Sequence, residues 1–265
     1  MYKKSSIGRL LILSMIAVLL LSACSTRPSE SKPVTLTISA AASVTDALTT
    51  IKQQYAAKHP DVLLEFNFGG SGTLMKQIQQ GAPVDLFLSA SAANMDTLIQ
   101  EGTVLQNAHT PLLANQLVVI VPNDQKEKFT SITDLAAPAI ERIAVGIPGS
   151  VPAGTYAKEA LSNLALWEDV EAKAVQAKDV RQVLQTVETG NVDAGIVYLT
   201  DAKESDSVHI AAIIDASLHT PITYPVGVLA GSKHPDEAAA FYEYLQSEEA
   251  LSVFQSYGFS LPSGN

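Results

Sequence analysis

The chain has a single cysteine, Cys24, among 265 residues. That excludes an internal disulfide framework and any CxxC redox or metal site. Charged residues are also sparse, 17% against 47% apolar, so wholesale disorder is excluded and a sizeable core can be buried. Cations are the scarcer sign: 17 lysines and arginines stand against 27 aspartates and glutamates, a net charge of −10. Residues 1–23 carry Lys3, Lys4 and Arg9 and no acid, so without them the balance falls to −13. No nucleic acid is expected as a partner of such a surface, and anionic lipid is equally unsuited to it. The chain has no Walker A pattern, no His-x-x-x-His pair, no carboxylate cluster for a bare metal cation and no internal repeat. It has one long apolar run and no second.

That run, Leu10 to Leu21, follows the three cations and is too short to span a bilayer as a helix. It reads as a secretory leader, residues 1–23. The run ends Leu21-Ser22-Ala23-Cys24, so the expectation is a lipoprotein signal, with cleavage before Cys24 and a diacylglycerol anchor on its thiol. The alternative is ordinary cleavage after Ala23, which leaves a free thiol. Residues 24–34 are polar, contain Pro28 and Pro33, and suit a flexible tether. A soluble module held by a lipid anchor at the outer face of the cytoplasmic membrane is the resulting expectation.

Beyond the tether, short β-type runs alternate with amphipathic helical ones. Strands are predicted at Val34–Ala40, Val62–Phe68, Val84–Ser89, Leu117–Val121, Arg142–Ile147 and Ala194–Tyr198. Helices are predicted over 44–58, 73–80, around Met95 to Ile99, and over 154–164 and 179–189. The last of these places Val180, Val183, Leu184 and Val187 on one face and ends at Gly190. Such alternation indicates an α/β protein with mainly parallel sheets flanked by helices. Two apolar strands, Leu117–Val121 and Ile222–Leu229, are natural crossovers between two lobes. Lobe one would comprise 35–116 plus 223–265, including two C-terminal helices around 235–247 and 248–256, and lobe two 117–222.

In open parallel sheets, ligands sit at the carboxyl ends of strands, where helix N-termini point. Four such junctions here are rich in small and hydroxyl residues. Ser39 to Asp46 contains Ser43, which either caps the following helix or faces a ligand. Phe68 to Leu74 sets Gly69, Gly70 and Gly72 around Ser71, which is either a tight capped turn or a close backbone approach to something bound. Gly149 to Gly154 opens one helix, and Lys178 to Arg181 opens another. Two junctions from each lobe, all offering neutral donors at helix starts, make a cleft for a small anion without cations.

An enzyme is the weaker reading. Thr73 stands where the nucleophile-elbow motif G-x-S-x-G requires its last glycine, and none of His59, His109, His209, His219 or His234 falls at the four junctions. A serine hydrolase built on Ser71 remains the remote alternative.

The same residues resemble the molybdate-binding proteins of ABC importers, a family of periplasmic substrate-binding proteins. The resemblance is carried by Ala40-Ala-Ala-Ser43-Val-Thr-Asp-Ala-Leu48, by Gly70-Ser71-Gly72-Thr73-Leu74 with Gly81-Ala-Pro-Val-Asp85-Leu-Phe87, and by Val145-Gly146-x-Pro148. Val151-Pro152-Ala153-Gly154-x-Tyr156-Ala-Lys158-Glu-Ala-Leu161, Asp179-Val180-Arg181, Gly195-Ile-Val-Tyr198 and Phe254-x-x-Tyr257-Gly258-Phe259 extend it over the chain from about residue 35. It implies a two-lobed periplasmic-binding-protein fold (type II) that closes on a tetrahedral oxyanion and is not an enzyme. In that family two serine hydroxyls hold the anion, and these fall on Ser43 and Ser71. An alanine and a valine amide fall on Ala153 and Val180, and a tyrosine hydroxyl on Tyr198, which periodicity alone makes the buried end of a strand. One departure is Gly72, where many relatives carry a further serine.

The implied ligand is molybdate or tungstate, with no cofactor, and the implied partners are a membrane permease and its ATPase, with the binder a monomer. Both ligands are fully deprotonated at neutral pH and suit a pocket made only of donors. Hydrogen phosphate wants an acceptor, whereas sulfate, a smaller bare dianion, is the nearest rival.

Overall fold

The computed structural model describes residues 33–129 and 131–262. Cys24 and the leader therefore lie outside the described residues. Among the described residues, ten strands form two five-stranded sheets, each with helices packed on it, and the two sheets define two lobes.

The first sheet runs in the order β2 (Val62–Gly69), β1 (Val34–Ala41), β3 (Leu86–Leu88), β10 (Thr223–Leu229), β4 (Val104–Ala114). The second runs β7 (Ala174–Ala177), β6 (Ile143–Gly146), β8 (Ala194–Tyr198), β5 (Leu117–Pro122), β9 (Val208–Ile213). β1 pairs in parallel with β2 and β3, and β6 with β7 and β8. β10 is antiparallel to both of its neighbours, and so is β5. Each sheet is thus mainly parallel with one reversed strand, and the reversed strands are the two apolar runs singled out as crossovers. The crossings themselves lie just ahead of them, in Asn115–Gln116 and in 214–222. There the Asn115 amide donates to Ile222 O (3.3 Å) and the Ile214 amide to Leu117 O (2.9 Å). All six residues of β5 are buried, as expected of a strand with neighbours on both sides and helices on its faces.

The helices follow the apolar periodicity. In α1 (Thr45–Lys58), Ala47, Leu48, Ile51 and Tyr55 are buried. Next come α2 (Ser71–Gln79), α3 (Ala92–Gln100), α4 (Pro152–Asn163) and α5 (Trp167–Glu171). In α6 (Val180–Glu188), Val180, Val183, Leu184 and Val187 are buried in register. A short α7 (Leu199–Lys203) follows, and the C-terminal α8 (Pro235–Leu245) and α9 (Glu248–Ser256) return to the first lobe, packing on β1, β10 and α1.

Two helix starts differ from the periodicity. α4 begins at Pro152 because proline, with no amide hydrogen to lose and φ already helical, takes the first position. α2 begins at Ser71 rather than Thr73. Strands β4, β7 and β9 have no clean alternation to announce them. β4 carries Gln106, Asn107 and Pro111, tolerated because it pairs only with β10 at the edge of the sheet.

Candidate functional site

The four junctions meet between the lobes. Ala41, Ala42, Ser43, Gly69, Gly70, Ser71 and Ala90 from the first lobe face Val151, Pro152, Ala153, Val180 and Tyr198 from the second across one cavity. The cavity is small, about 10 Å³, and no charged side chain lines it. A larger open groove, about 500 Å³ by the same measure, lies in the first lobe around Asp85, Lys233 and His234. The Asp85 carboxylate there already accepts from the Thr37 amide (2.8 Å) and from Ser232 Oγ (2.6 Å), so its role is to tie β1 to the residues after β10.

Neither serine caps a helix. Ser43 lies in a 3₁₀ turn (Ala42–Val44), Val44 occupies the N-cap position of α1, and no side chain caps that helix. Ser43 Oγ instead shares a 2.9 Å hydrogen bond with Tyr224 Oη, 181 positions away at the start of β10. Ser71 is the first residue of α2, with Gly70 at the N-cap. Its Oγ accepts from the Ala90 amide (3.0 Å), which leaves the hydroxyl's own proton for another acceptor. Both serines are buried.

The second lobe presents helix starts. Ala153 and Val180 are the second residue of α4 and the first of α6, where backbone amides have no intrahelical carbonyl to bond and the helix dipole is positive. α4 can seat its first turn here because Gly154 has no Cβ; one would lie 1.9 Å from Gly146 O of β6. Asp179 caps α6 by accepting from the Gln182 amide at 2.8 Å.

Tyr198, the last residue of β8, is 1% exposed, and its hydroxyl, though near Tyr224, makes no well-aligned hydrogen bond among the described residues. Burial above all, then the neighbouring Tyr224, Tyr156 and Asp201, raises its pKa well above the usual tyrosine value. It therefore stays a protonated donor. An unpaired buried hydroxyl is costly unless something fills the cavity beside it.

The lobes are shut against each other. The Gly72 amide of α2 donates to Ser150 O (3.0 Å), and Tyr156 Oη of α4 donates to Ala90 O (3.3 Å). A Cβ on Gly70 would lie 2.8 Å from Lys178 O and 2.9 Å from Ser150 O, and one on Gly72 would lie 2.7 Å from Gly149 O. Glycine at both positions is what lets these backbones meet.

Arg181 of α6 reaches across to pair with Asp46 of α1, so Asp46 spans the cleft rather than capping its own helix. On its other side Arg181 Nε lies 3.0 Å from Asp201 Oδ1, an ion pair too poorly aligned for a hydrogen bond. Asp201 is fully buried and accepts from the Tyr198 amide (3.3 Å). Burial pushes its pKa up to about 7, with Arg181 pulling the other way.

Sequence patterns indicate neither the Arg181 pairs nor the contact of Ser43 with Tyr224, because the partners lie far apart in the chain. The geometry is unlike a serine hydrolase: no histidine lines the cavity, and Ser71 Oγ is engaged by a backbone amide.

Residues 36–260 match the profile of the bacterial extracellular solute-binding protein family. Over 263 residues the chain is 48% identical to a Bacillus subtilis protein, YvgL, named as an ABC transporter substrate-binding lipoprotein, covering 98% of this chain and 99% of that one. It is 39% identical over 228 residues to the molybdate-binding protein ModA of Haemophilus influenzae, covering 85% and 89%. A solved Clostridium difficile structure, assigned as the substrate-binding domain of a molybdenum ABC transporter, superposes with a TM-score of 0.67 at 40% identity, covering 87% of this chain and all of that one. Members of this family bind and release solutes outside the cytoplasm for ABC importers and are not enzymes. With its family profile, its relatives and its two-lobed fold in agreement, the chain belongs to the bacterial extracellular solute-binding proteins of ABC importers, in the company of the molybdate-binding proteins.

Proposed function

We propose that the protein captures molybdate, and tungstate with it, between lobe one (35–116 plus 223–265) and lobe two (117–222) and hands it to an import permease. Ser43 and Ser71 hydroxyls, the Ala153 and Val180 amides and the Tyr198 hydroxyl are the donors. The observation that carries this reading is a shut cavity, without a charged lining residue, where an unpartnered tyrosine hydroxyl and two helix starts face two buried serines. Drug-sized ligands occupy cavities of roughly 300–1,000 Å³, so an organic solute of that size does not fit this shut cavity. A lining rich in donors suits a fully deprotonated dianion. Hydrogen phosphate, which brings a proton needing an acceptor, suits it less. Each donor that fails to reach a smaller anion costs about 1–3 kcal/mol, which is how sulfate is disfavoured.

The anchor is Cys24, in keeping with the lipoprotein name of the Bacillus subtilis relative, and it keeps the monomeric binder at the outer face of the cytoplasmic membrane. Capture follows from the fold: one lobe takes the anion, the crossings at Asn115–Gln116 and 214–222 flex, and the second lobe closes.

Isothermal titration of the full chain in detergent with molybdate, tungstate, sulfate and hydrogen phosphate tests the proposal. Tight one-to-one binding of molybdate and tungstate, with sulfate and hydrogen phosphate far weaker, is the expected result. Preferential binding of sulfate or hydrogen phosphate would overturn the ligand assignment.

A further inference from the structure

We infer that Asn115 and Tyr224 are positioning residues that fix Ser43 as a hydrogen-bond donor to the bound anion, an inference that rests on the oxyanion reading above. Asn115 lies in the crossing between the lobes. Its Oδ1 accepts from the Gln116 amide (2.9 Å), and an amide N–H needs an oxygen there, so the orientation of the Asn115 side chain is determined. Its Nδ2 therefore points the other way, donating to Thr200 Oγ1 of α7 (2.9 Å) and to Tyr224 Oη (3.3 Å).

The direction of the next bond follows. Tyr224 is completely buried and its hydroxyl oxygen already accepts a hydrogen bond from Asn115 Nδ2. Its one proton needs an acceptor, and Ser43 Oγ lies 2.9 Å away. If Ser43 donated to Tyr224 instead, the tyrosine proton would be left with only the neighbouring Tyr198 Oη, which makes no well-aligned hydrogen bond, at real cost. Tyr224 thus donates to Ser43, and the Ser43 proton turns toward the cavity that its residue lines. The result parallels Ser71, whose oxygen is occupied by the Ala90 amide.

Burial raises the Tyr224 pKa well above the tyrosine norm, so its proton is retained throughout the working pH range. Because Asn115 also grips Thr200, two positions beyond Tyr198, the orientation of a first-lobe donor is tied to the hinge and to the second lobe. A serine held this way has its proton directed at the anion, and such a donor suits a fully deprotonated dianion.

A double-mutant cycle on the full chain in detergent tests this, with molybdate and sulfate as probes in calorimetric titration. Tyr224→Phe is expected to weaken molybdate binding about tenfold in the parent protein, the size of one lost donor to a charged group. In a Ser43→Ala background it is expected to change affinity less than about twofold, because no hydroxyl remains to orient. Asn115→Asp, which keeps the shape but loses both donated bonds, should show the same dependence on Ser43. An equal loss from Tyr224→Phe in both backgrounds would make the tyrosine merely structural and overturn the relay, as would no loss in the parent. If the parent binds neither molybdate nor sulfate, the oxyanion reading itself fails and the relay fails with it. If the parent binds and the cycle is additive, only the relay is lost.

Discussion

The first lobe meets the cavity with side-chain hydroxyls, Ser43 and Ser71, while the second meets it at two helix starts, Ala153 and Val180, and with one tyrosine. In the first lobe each serine oxygen is backed by another group, Ala90 N or Tyr224 Oη, so that direction is built from outside the cavity. In the second lobe direction comes from the helix itself, since first-turn amides point along the axis whatever their side chains are. Side-chain donors can be deleted singly by mutation. Backbone donors can be disturbed only by moving a helix or blocking its approach. The two lobes should therefore respond differently to substitution.

The largest contrast should come from removing both serines. Ser43→Ala with Ser71→Ala is expected to cost about 2–6 kcal/mol of molybdate affinity, two lost bonds of about 1–3 kcal/mol each, and to lower the ligand-free melting temperature as well, because the Ala90 amide and the Tyr224 hydroxyl lose buried partners. No single side-chain truncation at 153 or 180 should approach that. Gly70→Ala probes closure instead. Its Cβ meets backbone oxygens of the second lobe at 2.8 and 2.9 Å, and forcing it in should cost about 1–3 kcal/mol of affinity, again read by titration. Tyr198→Phe, the one side-chain donor of the second lobe, should cost about 1.5 kcal/mol or slightly more, and should slightly stabilise the ligand-free protein by removing an unpaired buried hydroxyl. Smallest is Asp46→Asn. The Asp46–Arg181 pair is partly exposed, so its loss should weaken binding by about 0.2–1 kcal/mol, and less in high salt.

Asp201 adds a pH dependence with a definite sign. Its pKa rises on folding, from the ordinary carboxylate value to about 7, so the folded state holds the proton more tightly than the unfolded chain. Its contribution to stability is greatest below about pH 4 and falls as pH rises toward 7. Asp201→Asn removes that slope, so the variant's melting temperature relative to the parent should climb between pH 4 and 7 in thermal denaturation.

How much of this is legible in the sequence follows the same division. The junctions around Ser43, Ser71, Ala153 and Val180 stand out because small, hydroxyl and glycine residues gather where strands turn into helices, and all four line one cavity. Periodicity also indicates the longer helices and the inner strands, down to the buried face of α6, but not the short α5 and α7. Tyr198 gives no such sign, since it closes an apolar strand, and only the family resemblance points to it. The edge strands β4 and β9 and the short β7 escape because partial exposure blurs alternation. The relay through Asn115 and the Asp46–Arg181–Asp201 row join residues up to 181 positions apart, and no local pattern encodes such a meeting. Ser43 shows the cost of local reasoning: its spacing suits a cap, yet its oxygen is engaged by β10.

The most direct test is to locate the anion. Crystals grown with molybdate, measured at the molybdenum absorption edge, should show one anomalous peak between the lobes, within hydrogen-bonding reach of Ser43, Ser71, Ala153, Val180 and Tyr198. A peak bonded to one lobe alone, or lying in the groove around Asp85 and Lys233, would contradict shared capture by two lobes.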